Sequence, residues 1–195
     1  MKNIFKLMGI ALISCSLFTA CGDNNKPEEE VDDGTLKVDV TFNGTAYNTF
    51  NSMVATTGTS NGQDYTLFDF HPVAMQNATS IEDLLPGLYI MVGGKTAATY
   101  TSSEIDAKGW LTGDVISYEF WNETLLQDGN NNLYGDWWAK NATVEITKLD
   151  LTAKLASFKS NGTLFDALDA LVNQNPISQV ATAEMVANVS NVTLQ

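Results

Sequence analysis

In the stretch TLKVDVTF, residues 35–42, every second position is apolar: Leu36, Val38, Val40 and Phe42 alternate with Lys37, Asp39 and Thr41. A period of two puts the apolar set on one face of an extended strand, whereas helical geometry would scatter it. Asn43-Gly44 follows at once, a dipeptide suited to a two-residue hairpin turn. The chain then returns through 45–50. A lone hairpin does not hold together in water, so the remainder must supply a sheet.

It does so in the same style. Strand-like segments are predicted over 64–70, 88–92, 115–121, 142–147, 151–158 and 185–194, separated by runs rich in Gly, Asn, Asp, Ser and Thr. Two short helices are predicted. One covers 80–85, opened by Ser80 and stopped by Pro86-Gly87; the other covers 163–172, where Leu164, Leu168 and Leu171 recur at helical spacing. The expected class is all-β: an antiparallel β-sandwich, or alternatively a lipocalin-like β-barrel, with one or two short helices. One domain is expected over 35–195, long enough to bury a core without staples.

The first twenty residues differ in kind. Lys2 and Lys6 precede a mostly apolar run over 7–18, and Thr19 and Ala20 complete the layout of an export signal. The run is shorter than the roughly 20 apolar residues a membrane-spanning helix needs. FTAC, residues 18–21, resembles the lipobox of bacterial lipoproteins, with Phe18 where Leu is usual. That resemblance implies cleavage of a signal peptide, residues 1–20, and acylation of Cys21 as the first mature residue. Two or more acyl chains give stable anchoring. Residues 21–34 carry six acids (Asp23, Glu28, Glu29, Glu30, Asp32 and Asp33) and almost nothing apolar, the composition of an extended tether. Acids soon after the lipidated cysteine also resemble the surface-export signals of Bacteroidetes-type lipoproteins. The expected address is the outer membrane, lipid-anchored, with the cell surface favoured over the periplasmic face.

Removal of Lys2 and Lys6 with the signal leaves eight basic residues against 23 acids, a formal balance of −15, and there is no arginine. Such a surface lacks the cationic footprint that nucleic acid or anionic headgroups require. Attachment to the membrane therefore falls to the lipid. Cys15 leaves with the signal and Cys21 is acylated, so the domain has no thiol for a disulfide, a nucleophile or a metal.

The order of the pieces resembles small Bacteroidetes lipoproteins of uncharacterised function with a single β-sandwich domain. VTFNGTAYN, PGLYIMV and ATVEITKLDLTAKLASFKSNGTLF carry that resemblance. It implies a fold and an address and brings no activity.

The chemistry-bearing residues are sparse. His71 is the single histidine. Asp69 shares its strand face in DFHP, as a base and its orienter would. No Gly-x-Ser-x-Gly elbow accompanies them, so a structural histidine is the expectation. In DGNNNLYGD, Asp128, Asn130, Asn132 and Asp136 match positions 1, 3, 5 and 9 of a calcium loop. Leu133 and Ala139 stand where glycine and a bidentate glutamate are needed, so a solvated turn is expected. Seven Asn-x-Ser/Thr sequons, beginning at Asn43, Asn77, Asn122, Asn141, Asn161, Asn188 and Asn191, reflect an Asn/Thr-rich composition in a bacterial context. No catalytic residue, metal or cofactor is assigned.

The aromatics are more informative. In VISYEFWNE, Ile116, Tyr118 and Phe120 share one face and Val115, Ser117, Glu119 and Trp121 the other. With the first set inward, Glu119 and Trp121 are expected side by side in solvent. Trp137 and Trp138 are expected on opposite faces. A ligand site is therefore placed at Glu119, Trp121, Asp128, Tyr134, Asp136 and Trp137, where flat rings meet carboxylates and amides as in shallow sugar sites; the competing expectation is that all four tryptophans fill the core or its rim. The leading functional expectation is a lipid-anchored envelope module, binding or structural, that engages glycan or a partner protein. The alternatives are an envelope glycoside hydrolase using Glu119, Glu123, Asp128 or Asp136, and a pilus-like subunit, against which the modest length and missing arginine processing site weigh.

Overall fold

The structure is a computed structural model that describes residues 34–106, 109–127 and 133–195. The expected signal peptide, the lipidation site Cys21, nearly all of the tether and Asp128 lie outside the described residues. Gly34–Gln195 forms one unit. Its eleven described strands are β1 (Lys37–Phe42), β2 (Thr45–Tyr47), β3 (Ser52–Ser60), β4 (Gln63–His71), β5 (Gly87–Val92), β6 (Thr99–Ile105), β7 (Leu111–Gly113), β8 (Val115–Gln127), β9 (Leu133–Asp150), β10 (Leu155–Asp166) and β11 (Thr182–Thr193).

All eleven belong to one antiparallel sheet, nine of them in the order β2-β1-β11-β10-β9-β8-β5-β4-β3, with β6 branching from β9 and β7 pairing with β6. The all-β, antiparallel class with little helix is thus as expected, and the sheet curls into a half-barrel. Its far edge returns to its middle: Ala55 of β3 bridges Leu194, and Gln195 N donates to Ala55 O at 2.8 Å. Curling lets one face bury a continuous core. Phe68 and Phe158 meet across it with centroids 4.2 Å apart, and Phe42 packs on Phe120 at 4.5 Å. Tyr118 is buried there, its hydroxyl 3.2 Å from Ser160 Oγ. Burial drives the Tyr118 phenol upward.

The first hairpin forms as its turn residues dictate, with Asn43 at φ 48° and Gly44 at φ 78°. Two expectations are corrected. The segment 163–172 is not one helix. Thr163 to Asp166 finish β10 between β9 and β11, and a single wide turn at Leu168–Val172 follows. Leu164 and Phe165 gain burial on opposite sheet faces, which outweighs the helical spacing of the leucines. Residues 151–154 are a turn rather than strand, because Asp150 Oδ1 accepts the N–H groups of Thr152 and Ala153 at 2.9 and 2.8 Å. The turn expected at 80–85 narrows to Glu82–Leu84. Ser80 is not its cap, and Asp83 instead ties the turn back to the preceding residues, accepting from Thr79 N, Thr79 Oγ1 and Ser80 N.

Three features position the site. β8 and β9 pair only at Glu119–Phe120 with Trp138–Trp137 and again beyond Leu125, so they diverge on one side of that contact. β6 fills the resulting fork by pairing with β9 at Thr99–Ser102. The β6–β7 connection then folds over the outer face. A second apolar cluster lies there, made of Trp138, Phe165, Ala167, Ala170 and Val180, with Ile105, Trp110, Tyr134 and Ile177 against it. β1 begins at the opposite rim, with Lys37 paired to Ser190.

Candidate functional site

Register brings Asp69, Tyr89, Glu119, Trp138 and Phe165 into one row across β4, β5, β8, β9 and β10 on the outer face. Glu119 and Trp121 do point away from Tyr118 and Phe120, but they do not stand in solvent. Trp121 is 2% exposed and Glu119 5%, which corrects the expected exposure. The outer face is roofed here. The His71 ring lies 4.7 Å from the Trp121 indole, and Gly135 passes beneath that indole. Ile116 also departs from the expected face. It is 39% exposed while Val115 is buried, because the β5–β8 register shifts between Met91 and Val92 and breaks the alternation.

Glu119 is held by three donors. Ser117 Oγ donates to Oε1 at 2.7 Å, and Gly135 N and Trp121 Nε1 donate to Oε2 at 2.9 and 3.4 Å. Burial pushes its carboxyl up, and these hydrogen bonds oppose the shift only in part. Tyr89 beside it is pushed up to about 12, by burial first and then by the charges of Glu119 and Asp69. Asp136 is also buried. It accepts Asn122 N at 2.8 Å and Glu123 N at 3.2 Å, so it pins the bulge where Phe120 pairs with Trp137 but Leu125 pairs with Gly135. Both of its oxygens thereby serve the backbone.

His71 is buried between Leu84 O, 3.0 Å from Nδ1, and Asp69 Oδ1, 2.8 Å from Nε2. The second contact is at ion-pair distance but off the line of a ring N–H, since neither atom counts as hydrogen-bonded. Both nitrogens face protein oxygens and the ring packs on Gly87 and Trp121. His71 reads as a post of the fold. Among the described residues, no three His, Cys, Asp or Glu side chains converge to hold a metal ion.

The two adjacent tryptophans separate as strand geometry requires. Trp137 joins the inner core, edge-on to Phe42 at 5.1 Å. Trp138 faces out, its Nε1 donating to Gly135 O at 2.7 Å. Trp110 stacks on Trp138 with centroids 4.6 Å apart at 22°, and Tyr134 meets both rings edge-on at 5.5 and 5.8 Å. A turn presents Trp110: Asp106 N donates to Trp110 O, and Trp110 N donates to Asp106 Oδ1. Trp110 and Tyr134 are half-buried. Beside the stack, at the β8–β9 fork, a shallow cleft is lined by Trp110, Leu111, Ile116, Ser117, Glu119 and Trp138, with room for about one water-sized group.

Of the six residues expected to bind ligand, Glu119 and Tyr134 belong to this place, Trp121 and Asp136 support it from within, Trp137 is on the other face, and Asp128 lies outside the described residues. Sequence reasoning missed Trp110 and Ser117. The signal available was DAKGW, residues 106–110, in which an Asp-led turn delivers a large ring between two segments rich in Thr and Ser. Comparison of the chain with protein-family models, with curated proteins and with solved structures finds no match.

Proposed function

We propose that the chain is a lipid-anchored envelope module of the outer membrane, displayed at the cell surface, that binds glycan. Residues 1–20 would direct export, Cys21 would carry the lipid, and 21–34 would hold the domain clear of the bilayer. The observation that carries the binding reading is half-buried Trp110 stacked on buried Trp138, flanked by Tyr134 and opening beside the Ser117 and Glu119 side chains. A flat apolar ring next to hydroxyl and carboxyl groups suits a sugar, which offers C–H faces and hydroxyls together.

Two measurements test the reading. Mass spectrometry of the protein from native membranes should give an acylated Cys21 peptide, and Cys21→Ser should release it from the membrane fraction; an unmodified chain starting elsewhere overturns the anchor. A glycan screen with the detergent-solubilised lipoprotein should return ligands that the Trp110→Ala variant loses. Retention of every ligand by that variant, or recovery of a protein partner in place of any glycan, overturns the binding site.

A further inference from the structure

We infer that the sugar seated on Trp110 is uncharged, and that the site turns away uronic acids and sulfated sugars. This rests on the binding site proposed above and adds its ligand class.

Three observations carry it. First, the elements that meet around the stack are acidic: Glu104 and Asp106 on the β6 side, and Asp166 and Asp169 beside Phe165. Among the described residues there, Lys140, two residues beyond Trp138 on β9, brings one positive charge against them, and Lys108, two residues before Trp110 in the sequence, adds a second in the chain. A ligand carboxylate or sulfate placed there would meet like charge in a partly desolvated setting, and such juxtaposition costs several kcal/mol. Second, anionic sugars are normally gripped by the planar fork of arginine, and this chain has none. Its lysines at positions 37, 95, 148 and 154 sit at the other rim, where Lys95 pairs with Asp64 at 2.9 Å and Lys148 donates to Asn191 Oδ1 at 3.1 Å. Third, the cleft beside Trp110 admits one water-sized group. A ring cannot enter it, but one hydroxyl can, so the sugar lies flat on Trp110 and sends a hydroxyl toward Ser117 and Glu119. Glu119 already accepts three hydrogen bonds, which leaves Ser117, half-buried at the cleft wall, as the group within reach of that hydroxyl.

The test uses the solubilised lipoprotein with 15N-labelled tryptophan. Indole N–H signals are followed by NMR, and the Trp110 signal is assigned from Trp110→Phe. Ligands are neutral β-glucan, xylan and mannan oligosaccharides, set against oligogalacturonate and sulfated heparin fragments of equal length. At least one neutral series should move the Trp110 signal with a dissociation constant of about 0.1–1 mM, the range of an open, shallow site. The charged series should bind at least about tenfold more weakly at low salt, and added salt should narrow that gap by screening. Trp110→Ala should abolish the response, and Trp110→Phe, which keeps a ring and guards against misfolding, should weaken it less. Equal or tighter binding of the charged series overturns the ligand class and leaves the site standing. Silence of the Trp110 signal with every sugar overturns the site, and with it both readings.

Discussion

Gly135 lies beneath the Trp121 indole, nearer than any side-chain carbon could tolerate. The same residue donates its N–H to Glu119 and its carbonyl accepts from Trp138. Three large side chains of the outer face therefore close on one position that has no side chain. Gly135→Ala should destabilise the domain by about 1–3 kcal/mol, in the range of overpacked cores, and more if the indole cannot shift. Urea unfolding followed by tryptophan fluorescence measures it. A change below about 0.5 kcal/mol would mean that the indole moves freely and that the roof over β8 is soft.

Asp136 makes a separable contribution. Asp136→Ala should leave the Asn122 and Glu123 N–H groups without their acceptor at the bulge, at a cost of about 1–3 kcal/mol. Asp136→Asn keeps one oxygen and should lose about half as much. Hydrogen exchange at these two amides is the local readout: protection should fall in both variants. Unchanged protection would show that the bulge is held by other means.

Stability should depend on pH through Glu119. Its folded-state value is raised by burial, so the folded protein keeps a proton that the unfolded chain has already released. Over the interval from the unfolded glutamate value, about 4.3, up to the raised folded value, the unfolded state binds fewer protons and stability falls as pH rises. Above that interval the effect levels off. Glu119→Gln should remove this component, because the amide oxygen can accept from Gly135 and Trp121 while Ser117 turns to accept from the amide nitrogen. The difference in urea midpoint between variant and wild type, followed from pH 4 to 8, isolates the component from other acids such as Asp64 and Asp83, whose shifts are downward. A difference that stays flat across the range contradicts the assignment.

His71→Ala should cost about 2–4 kcal/mol, since it empties space against Trp121 and strips a partner from Leu84 O and Asp69. Its effect on the proposed sugar binding should be small. Loss of binding with full retention of stability would move His71 from a supporting post into the binding machinery.

The sequence was legible where local chemistry and tertiary demand agree. Val40 and Phe42 turn inward and Asn43-Gly44 makes the turn because period and turn propensity point to one answer. β3, β6 and β7 escaped notice because their Thr, Ser and Gly residues carry little hydrophobic alternation; pairing partners, not their own pattern, make them strands. The site was half legible. Alternation placed Glu119 and Trp121 on the outer face, but it carries no information on what covers that face. The cover of Trp121 comes from His71, distant in sequence, the space beneath it from Gly135, and the half-buried ring of Trp110 from a connection that no period announces.

The chain enters the barrel beside Ser190, while Trp138 and Phe165 lie level with Thr182 near the other end of β11. Eight residues of strand separate the two levels, about 26 Å at the usual rise per residue. The first strand thus starts at one rim of the half-barrel, while the aromatic stack lies toward the other. Under the proposed lipid anchor, a ligand on Trp110 would be met about one strand length from the place where β1 begins.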